Sequence, residues 1–391
     1  MAKPNTVEKD RISTLPLEIV LMILSYLPLQ SLLHFGETSR TNHLYHILSL
    51  KRLRLAVFQR RIHSLISFVQ AGWPTTGHYD KGKEIIYADE AVGYTISVLQ
   101  PQALRTRKRK MYISDLEDAS WEIDSFRKDE TGLPTTFEQM VCMQNDILSS
   151  LLGRYGKSLV QLEFMAYDMD MEGALALATN CRSKLRHLAL RFEHPHVRDG
   201  SMRPRAWLQP APSSTCWNAL IGIGPYKQIG LTGLQTLILE RAGITPWQLM
   251  VLVRNNPNLT TLKLRTCTGV HPDFLSWLGG MSNALDMDAA GDTNCVAPGA
   301  KLQVLWLENC PNVSDEPADA LEELQEKEDP DAGLRWVKKL KCLKSLSFRE
   351  CMSLPPTHVD QANKLIWNIP EVILPYTITS GDQVEVDPEL A

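Results

Sequence analysis

Leu259-Thr260-Thr261-Leu262-Lys263-Leu264-Arg265-Thr266-Cys267 is the stretch on which the fold turns. From Leu262 to Arg265 apolar and polar residues alternate, so the segment reads as a strand with one leucine face and one polar face. The template Leu-x-x-Leu-x-Leu, with Phe allowed last, recurs at Leu159-Leu162-Phe164, Leu185-Leu188-Leu190, Leu234-Leu237-Leu239, Leu302-Leu305-Leu307 and Leu343-Leu346-Phe348, which makes six copies. Starts at 159 and 185 differ by 26 residues, and those at 234 and 259 by 25. A period of roughly 20–29 residues marks units that stack on their neighbours instead of closing one central core. The wider gaps hold insertions or decayed copies. Cys267, Cys310 and Cys351 each fall eight positions after a first leucine, an independent mark of the same register. Between strands the chain reads as helical at Phe137 to Leu152, Met171 to Asn180, Pro246 to Asn255 and Glu316 to Glu326, with Asp170, Thr245 and Asp315 as caps for the last three.

This pattern resembles the leucine-rich repeat, whose consensus has Asn or Cys at the position of Cys267, Cys310 and Cys351. The resemblance implies a solenoid over 136–375 with parallel strands on its concave face and helices on its convex face. The residues between the leucines then point to the concave face in two rows. One reads Glu163, Ala189, Ile238, Lys263, Trp306 and Ser347; the other reads Met165, Arg191, Glu240, Arg265, Glu308 and Arg349. The second row alternates in sign from Arg191 onward, so its members can pair along the sheet. Trp306 beside Lys263 has the character of an aromatic interface anchor, and an insertion such as Gly279 to Lys301 folding over it is the alternative. Lys263, Arg265, Trp306 and Glu308 are the candidate residues for binding a protein substrate.

At the other end of the chain, Leu15-Pro16-Leu17-Glu18-Ile19 reads as a helix start, with Pro16 in the first position and Glu18 in the first turn. Ile19 to Leu24 is apolar on every face, so this helix needs cover on two sides. A unit of about sixty residues cannot supply both, which leaves a later domain or, preferably, a separate protein. Pro28 ends the helix, Ser31-Leu32-Leu33 begins a second, and Arg40 to Val69 carries helical spacing until Gly72.

Leu15-Pro16-x-Glu18-Ile19, Ile23-Leu24-x-x-Leu27, Leu32-Leu33 and Ser39-Arg40 resemble the F-box in type, order and spacing, with Tyr45 in a region where a tryptophan is common. F-boxes are three-helix modules that dock on the Skp adaptor of Skp–cullin–F-box ubiquitin ligases. The resemblance implies an adaptor-binding surface made from Leu15, Pro16, Glu18, Ile19, Ile23, Leu27, Leu32 and Leu33.

The fold class expected is therefore α/β: an F-box helical module at 12–72, an irregular connecting region at 73–135, the repeat body at 136–375 and an acidic tail at 376–391. The connecting region holds a strand-like piece at Glu84 to Leu99 and the basic run Arg105 to Lys110, read as a solvated loop. A net charge of -4 and the absence of a signal-peptide pattern or membrane-length apolar run fit a soluble protein of the cytoplasm, the nucleus or both. The eight cysteines form no C-x-x-C pair, so neither a zinc cage nor a disulfide scaffold is expected, and the sequons at Asn258 and Asn312 read as chance matches. His187, His194 and His196 read as strand and loop residues, not as metal ligands, and Asp315 to Asp331 as a solvated charged helix. No phosphate loop, nucleophile elbow, kinase set or zincin helix occurs. The function expected is non-catalytic and cofactor-free: a substrate receptor whose partners are a Skp-type adaptor, through it a cullin scaffold, and a protein target. A ligase-independent scaffold, or a nucleic-acid-associated factor acting through 105–110, is the alternative.

Overall fold

The computed structural model describes residues 14–27, 29–57, 96–99, 111–112, 137–192, 214–281, 297–314 and 329–375. They fall into two units, Met1–His187 and Leu188–Ala391. The readings of Glu316 to Glu326, Asp315, Arg105 to Lys110, His194, His196 and the acidic tail lie outside the described residues.

In the first unit, α1 (Leu17–Leu24), α2 (Leu29–Thr38) and α3 (Arg40–Ser49) follow with minimal connections. Pro16 sits one position before α1, and its carbonyl accepts from the N–H groups of Ile19 and Val20. Ser39 starts α3 by accepting from Asn42 N at 3.1 Å. The helical reading of Arg40 to Val69 is corrected here. α3 stops at Ser49, and β1 (Arg52–Val57) follows at once. The physical reason is a further copy of the strand template, Leu50-Lys51-Arg52-Leu53-Arg54-Leu55, whose period of two overrides the helix. β1 runs parallel to β4 (Gln161–Ala166), with Leu53 beside Leu162 and Leu55 beside Phe164. The Ser158 hydroxyl donates toward Ile47 O and Leu50 O, which ties the end of α3 to the approach to β4.

β2 (Ile96–Leu99) pairs parallel with β1, and β3 (Met111–Tyr112) pairs antiparallel with β2. α4 (Phe137–Tyr155) and α5 (Met171–Cys181) bracket β4, and α5 starts at Asp170, whose carboxylate accepts from Gly173 N at 2.9 Å. Two fully buried amides hold α4 to the β4–α5 turn: Gln144 accepts from Tyr167 N, and Asn145 donates to Asp168 O while accepting from Asp170 N.

The second unit holds β5 (His187–Phe192, all but its first residue), β6 (Thr236–Glu240), β7 (Thr261–Arg265), β8 (Val304–Glu308), β9 (Ser345–Ser347) and β10 (Glu371–Ile373), neighbours in chain order. β6 through β10 are parallel. Parallel neighbours need crossovers, and α7 (Pro246–Arg254), preceded by α6 (Trp217–Ile221), supplies one between β6 and β7. α8 (Pro272–Leu278) and α9 (Pro356–Ala362) lie in the later crossovers. A capping box opens α7: Thr245 accepts from Gln248 N, and the Gln248 side chain accepts from Thr245 N.

The template leucines stand in register, with Leu237, Leu262, Leu305 and Leu346 in one line and Leu239, Leu264 and Leu307 in the next. All are at most 1% exposed, which makes this face the core of the unit. Each strand then turns through one residue of positive φ: Arg241, Thr266, Asn309 and Glu350. None is glycine, so each turn carries strain that the stack must hold. Their N–H groups reach the next repeat, from Arg241 to Arg265 O, from Thr266 to Glu308 O and from Asn309 to Arg349 O, at 2.8 to 2.9 Å. The residue after each turn is Ala242, Cys267, Cys310 or Cys351, all buried. The thiols donate backwards to the preceding strands, Cys267 to Leu239 O, Cys310 to Leu264 O and Cys351 to Leu307 O. Burial raises all three thiol pKa values, that of Cys310 to about 12.

Candidate functional site

Two surfaces carry the candidate residues. The first is on α1. Val20 and Leu24, one turn apart, are buried in the helical module, whereas Leu15, Leu17, Ile19, Met22, Ile23, Tyr26 and Leu27 are exposed. Met22 and Ile23 are about half exposed, at 52% and 50%. Pro16 and Glu18 are exposed too. A run of this kind facing water is the mark of an uncovered interface. α3 adds Leu44 and Leu48, exposed at helical spacing. Leu32 lies elsewhere: at 4% exposure it is part of the packing that holds the module, and it offers nothing to a partner in this conformation. The side chain of Leu33 lies outside the described residues. Leu17, Met22 and Tyr26 escaped the sequence reading, although their place on the all-apolar helix was a sufficient signal.

The second surface is the sheet face opposite the leucines in the second unit. Here Ile238, Lys263, Trp306 and Ser347 stand in one registered row, and Glu240, Arg265 and Glu308 in the next. Several members of the two rows are buried: Glu240, Glu308 and Ser347, and likewise Glu163, Met165, Ala189 and Arg191. The cause lies partly in the row itself, where neighbours about 4.8 Å apart cover one another. Arg191 pairs with Glu240 at 3.0 Å, and the Ser347 hydroxyl donates to Glu308 Oε1. Lys263, Arg265 and Trp306 remain partly open, and Arg349 is exposed.

These open side chains are organised. The Lys263 ammonium sits 3.4 Å from the centroid of the Trp306 ring, and the indole N–H donates to Ser345 Oγ at 3.0 Å. Burial lowers the Lys263 pKa to about 8, with Glu308 and Glu371 opposing that shift. Arg265 donates both 3.0 and 3.2 Å bonds to the Glu350 carboxylate, two strands away. Burial works against its charge, but Glu240, Glu350 and Glu308 outweigh it and hold the guanidinium above its ordinary value. One ring face and the N–H of Trp306 are thus taken by the chain's own groups, and Trp306 and Lys263 form one unit. Glu350, Glu371 and Ser345 were missed in the sequence, because each comes from a row or turn position outside the two rows considered.

Among the described residues no group of three or more His, Cys, Asp or Glu side chains could hold a metal ion, and His187 lies 3.6 Å from the Glu163 carboxylate. Among the same residues no helix is long and apolar enough to cross a membrane.

The F-box domain family model matches residues 12–43, which contain α1, α2 and the start of α3. No curated protein matches the chain.

Proposed function

We propose that this protein is the substrate-recognition subunit of a Skp–cullin–F-box type ubiquitin ligase and catalyses no reaction itself. The F-box binds a Skp-type adaptor, the adaptor connects it to a cullin scaffold, and a leucine-rich-repeat-like body holds the target protein. The observation that carries this reading is the uncovered apolar side of α1, in Leu15, Ile19, Ile23 and Leu27, inside the segment that matches the F-box domain. Leu17, Met22 and Tyr26 belong to the same adaptor surface, with Pro16 and Glu18 at its edge, while Leu32 supports the module from within. Such a face loses free energy to water until a partner covers it, at about 25 cal/mol for each Å².

The repeat-like body rests on the registered leucines, the recurrent left-handed turn and the buried cysteine that follows three of the four turns. Lys263, Arg265 and Trp306 form the core of the target-binding patch, joined by Glu350, while the buried Glu308 carboxylate supports the charge of Lys263 and Arg265 from within. An aromatic ring held beside charged groups is the composition typical of residues that dominate protein interfaces. Ubiquitin transfer belongs to other subunits, in the cytoplasm, the nucleus or both. The test is co-purification from cells expressing the tagged chain. Recovery of both a Skp-type adaptor and a cullin supports the reading; recovery of neither supports a ligase-independent scaffold instead.

A further inference from the structure

We infer that four exposed lysines at the N-terminal ends of β8 and β9 form a docking surface for an acidic polypeptide segment of a partner protein. Lys301 directly precedes Leu302 on the approach to β8, while Lys339, Lys341 and Lys344 lie on the approach to β9. The two approaches touch. A Cβ added at Gly299 would stand 2.7 Å from Leu340, and Lys344 N donates to Gln303 O at 2.7 Å. All four lysines are exposed, and the apolar residues between them, Leu340 and Leu343, are buried, so the ammonium groups are turned outward from a fixed base.

Their charge is not neutralised among the described residues. Lys301 Nζ donates to Asn258 Oδ1 at 3.2 Å, and Lys344 Nζ donates to Gln303 Oε1 at 3.1 Å; both acceptors are neutral amides. Asp329 pairs with Arg335 and Asp331 with Lys338, and the exposed Glu371, whose N–H donates to Lys344 O, makes no ion pair with the four lysines among the described residues. Four positive charges therefore stand together on a chain whose net charge is -4.

The chemistry selects the occupant. Arginine forks favour bidentate binding of phosphate, and here the arginine, Arg335, is committed to Asp329. Single-stranded nucleic acid needs exposed aromatic rings for base stacking, and Trp336, the aromatic residue within this run, is buried. Flexible lysine point charges suit carboxylates at irregular spacing, as in a segment rich in Asp and Glu. This surface does not depend on the ligase assignment, and either can fail alone.

The test uses the full chain and a fluorescein-labelled twelve-residue peptide of alternating Glu and Gly, followed by anisotropy at low salt. Binding is expected to saturate, to weaken as salt rises, and to fall at least tenfold in the combined variant Lys301→Glu, Lys339→Glu, Lys341→Glu, Lys344→Glu. Lys184→Glu, at an exposed lysine of the first unit, leaves it unchanged. Bound peptide also slows alkylation of exposed Cys342, which lies inside the patch, measured at that residue by mass spectrometry. Equal binding by the four-site variant overturns the proposal. So does displacement by a single-stranded oligonucleotide of equal charge at lower concentration, which assigns the surface to nucleic acid. Binding that appears only after removal of residues 376–391 overturns it as well, because the chain's own acidic segment is then the occupant.

Discussion

Native alkylation of the cysteines tests the repeat register at the level of single atoms. Cys267, Cys310 and Cys351 are at most 2% exposed, and their thiols donate to carbonyls of the preceding strands. Reaction requires the thiolate. At pH 8 a thiol with the ordinary value of 9.0 is about one-tenth ionised, whereas Cys310, at about 12, is ionised to roughly one part in ten thousand. Ionisation alone therefore slows Cys310 about a thousandfold, and the need for local opening slows it further. Burial raises Cys267 and Cys351 in the same direction. The assay is a time course with a small maleimide, quenched and resolved residue by residue. Exposed Cys142 and Cys342 should label within the first time points, and the three repeat cysteines only after denaturant is added. Rapid native labelling of all three would refute the shared register of the strands and turns.

Other outcomes follow from the same geometry. Trp306→Ala should lower stability by about 2 kcal/mol in urea unfolding, since it removes a partly buried cation–π contact and the hydrogen bond to Ser345; no change would mean that the indole is not pinned. Arg191→Met removes the guanidinium 3.0 Å from the buried Glu240 carboxylate and should cost about 3 kcal/mol, with the double change Arg191→Met, Glu240→Leu recovering most of it. Lys263 is lowered from 10.5 to about 8 in the fold, so the unfolded chain binds more protons in that window. Its contribution to stability must then rise with pH from about 8 to 10.5, and Lys263→Met should remove that rise from the pH dependence of thermal unfolding.

The strands of the second unit were legible because alternation of apolar residues is a local signal, and a fixed spacing of cysteines repeated it. Caps at Asp170 and Thr245 were legible for the same reason, since the accepting side chain and the N–H it serves lie within three residues. The copy at Leu50-Leu53-Leu55 was hidden by its position. It starts at the residue that directly follows α3, where Leu44 and Leu48 already read as helix, and the two periods abut in one stretch. The turns at Arg241, Thr266 and Glu350 had no glycine to announce a positive φ. The bond from Arg265 to Glu350 spans 85 residues and skips the neighbouring strand, so no row reading could supply it. On α1 the need for outside cover was legible from composition, but which residues face inward was not. An all-apolar helix has no polar stripe to orient it, and packing alone selects Val20 and Leu24.

Whether the open side of α1 is an adaptor surface is decided by the affinity of the full chain for a purified Skp-type adaptor, with and without Ile19→Glu and Ile23→Glu. These residues are 39% and 50% exposed, so a partner can still gain about 1 kcal/mol from covering each. A carboxylate at each position forfeits that gain and adds an unpaired charge to a closing interface, at several kcal/mol more. With about 1.4 kcal/mol per tenfold, the double variant should bind at least about a thousandfold more weakly. Thermal unfolding of the repeat body should be unchanged. Wild-type affinity in the double variant, or no measurable affinity in the unaltered chain, would exclude an adaptor surface on α1.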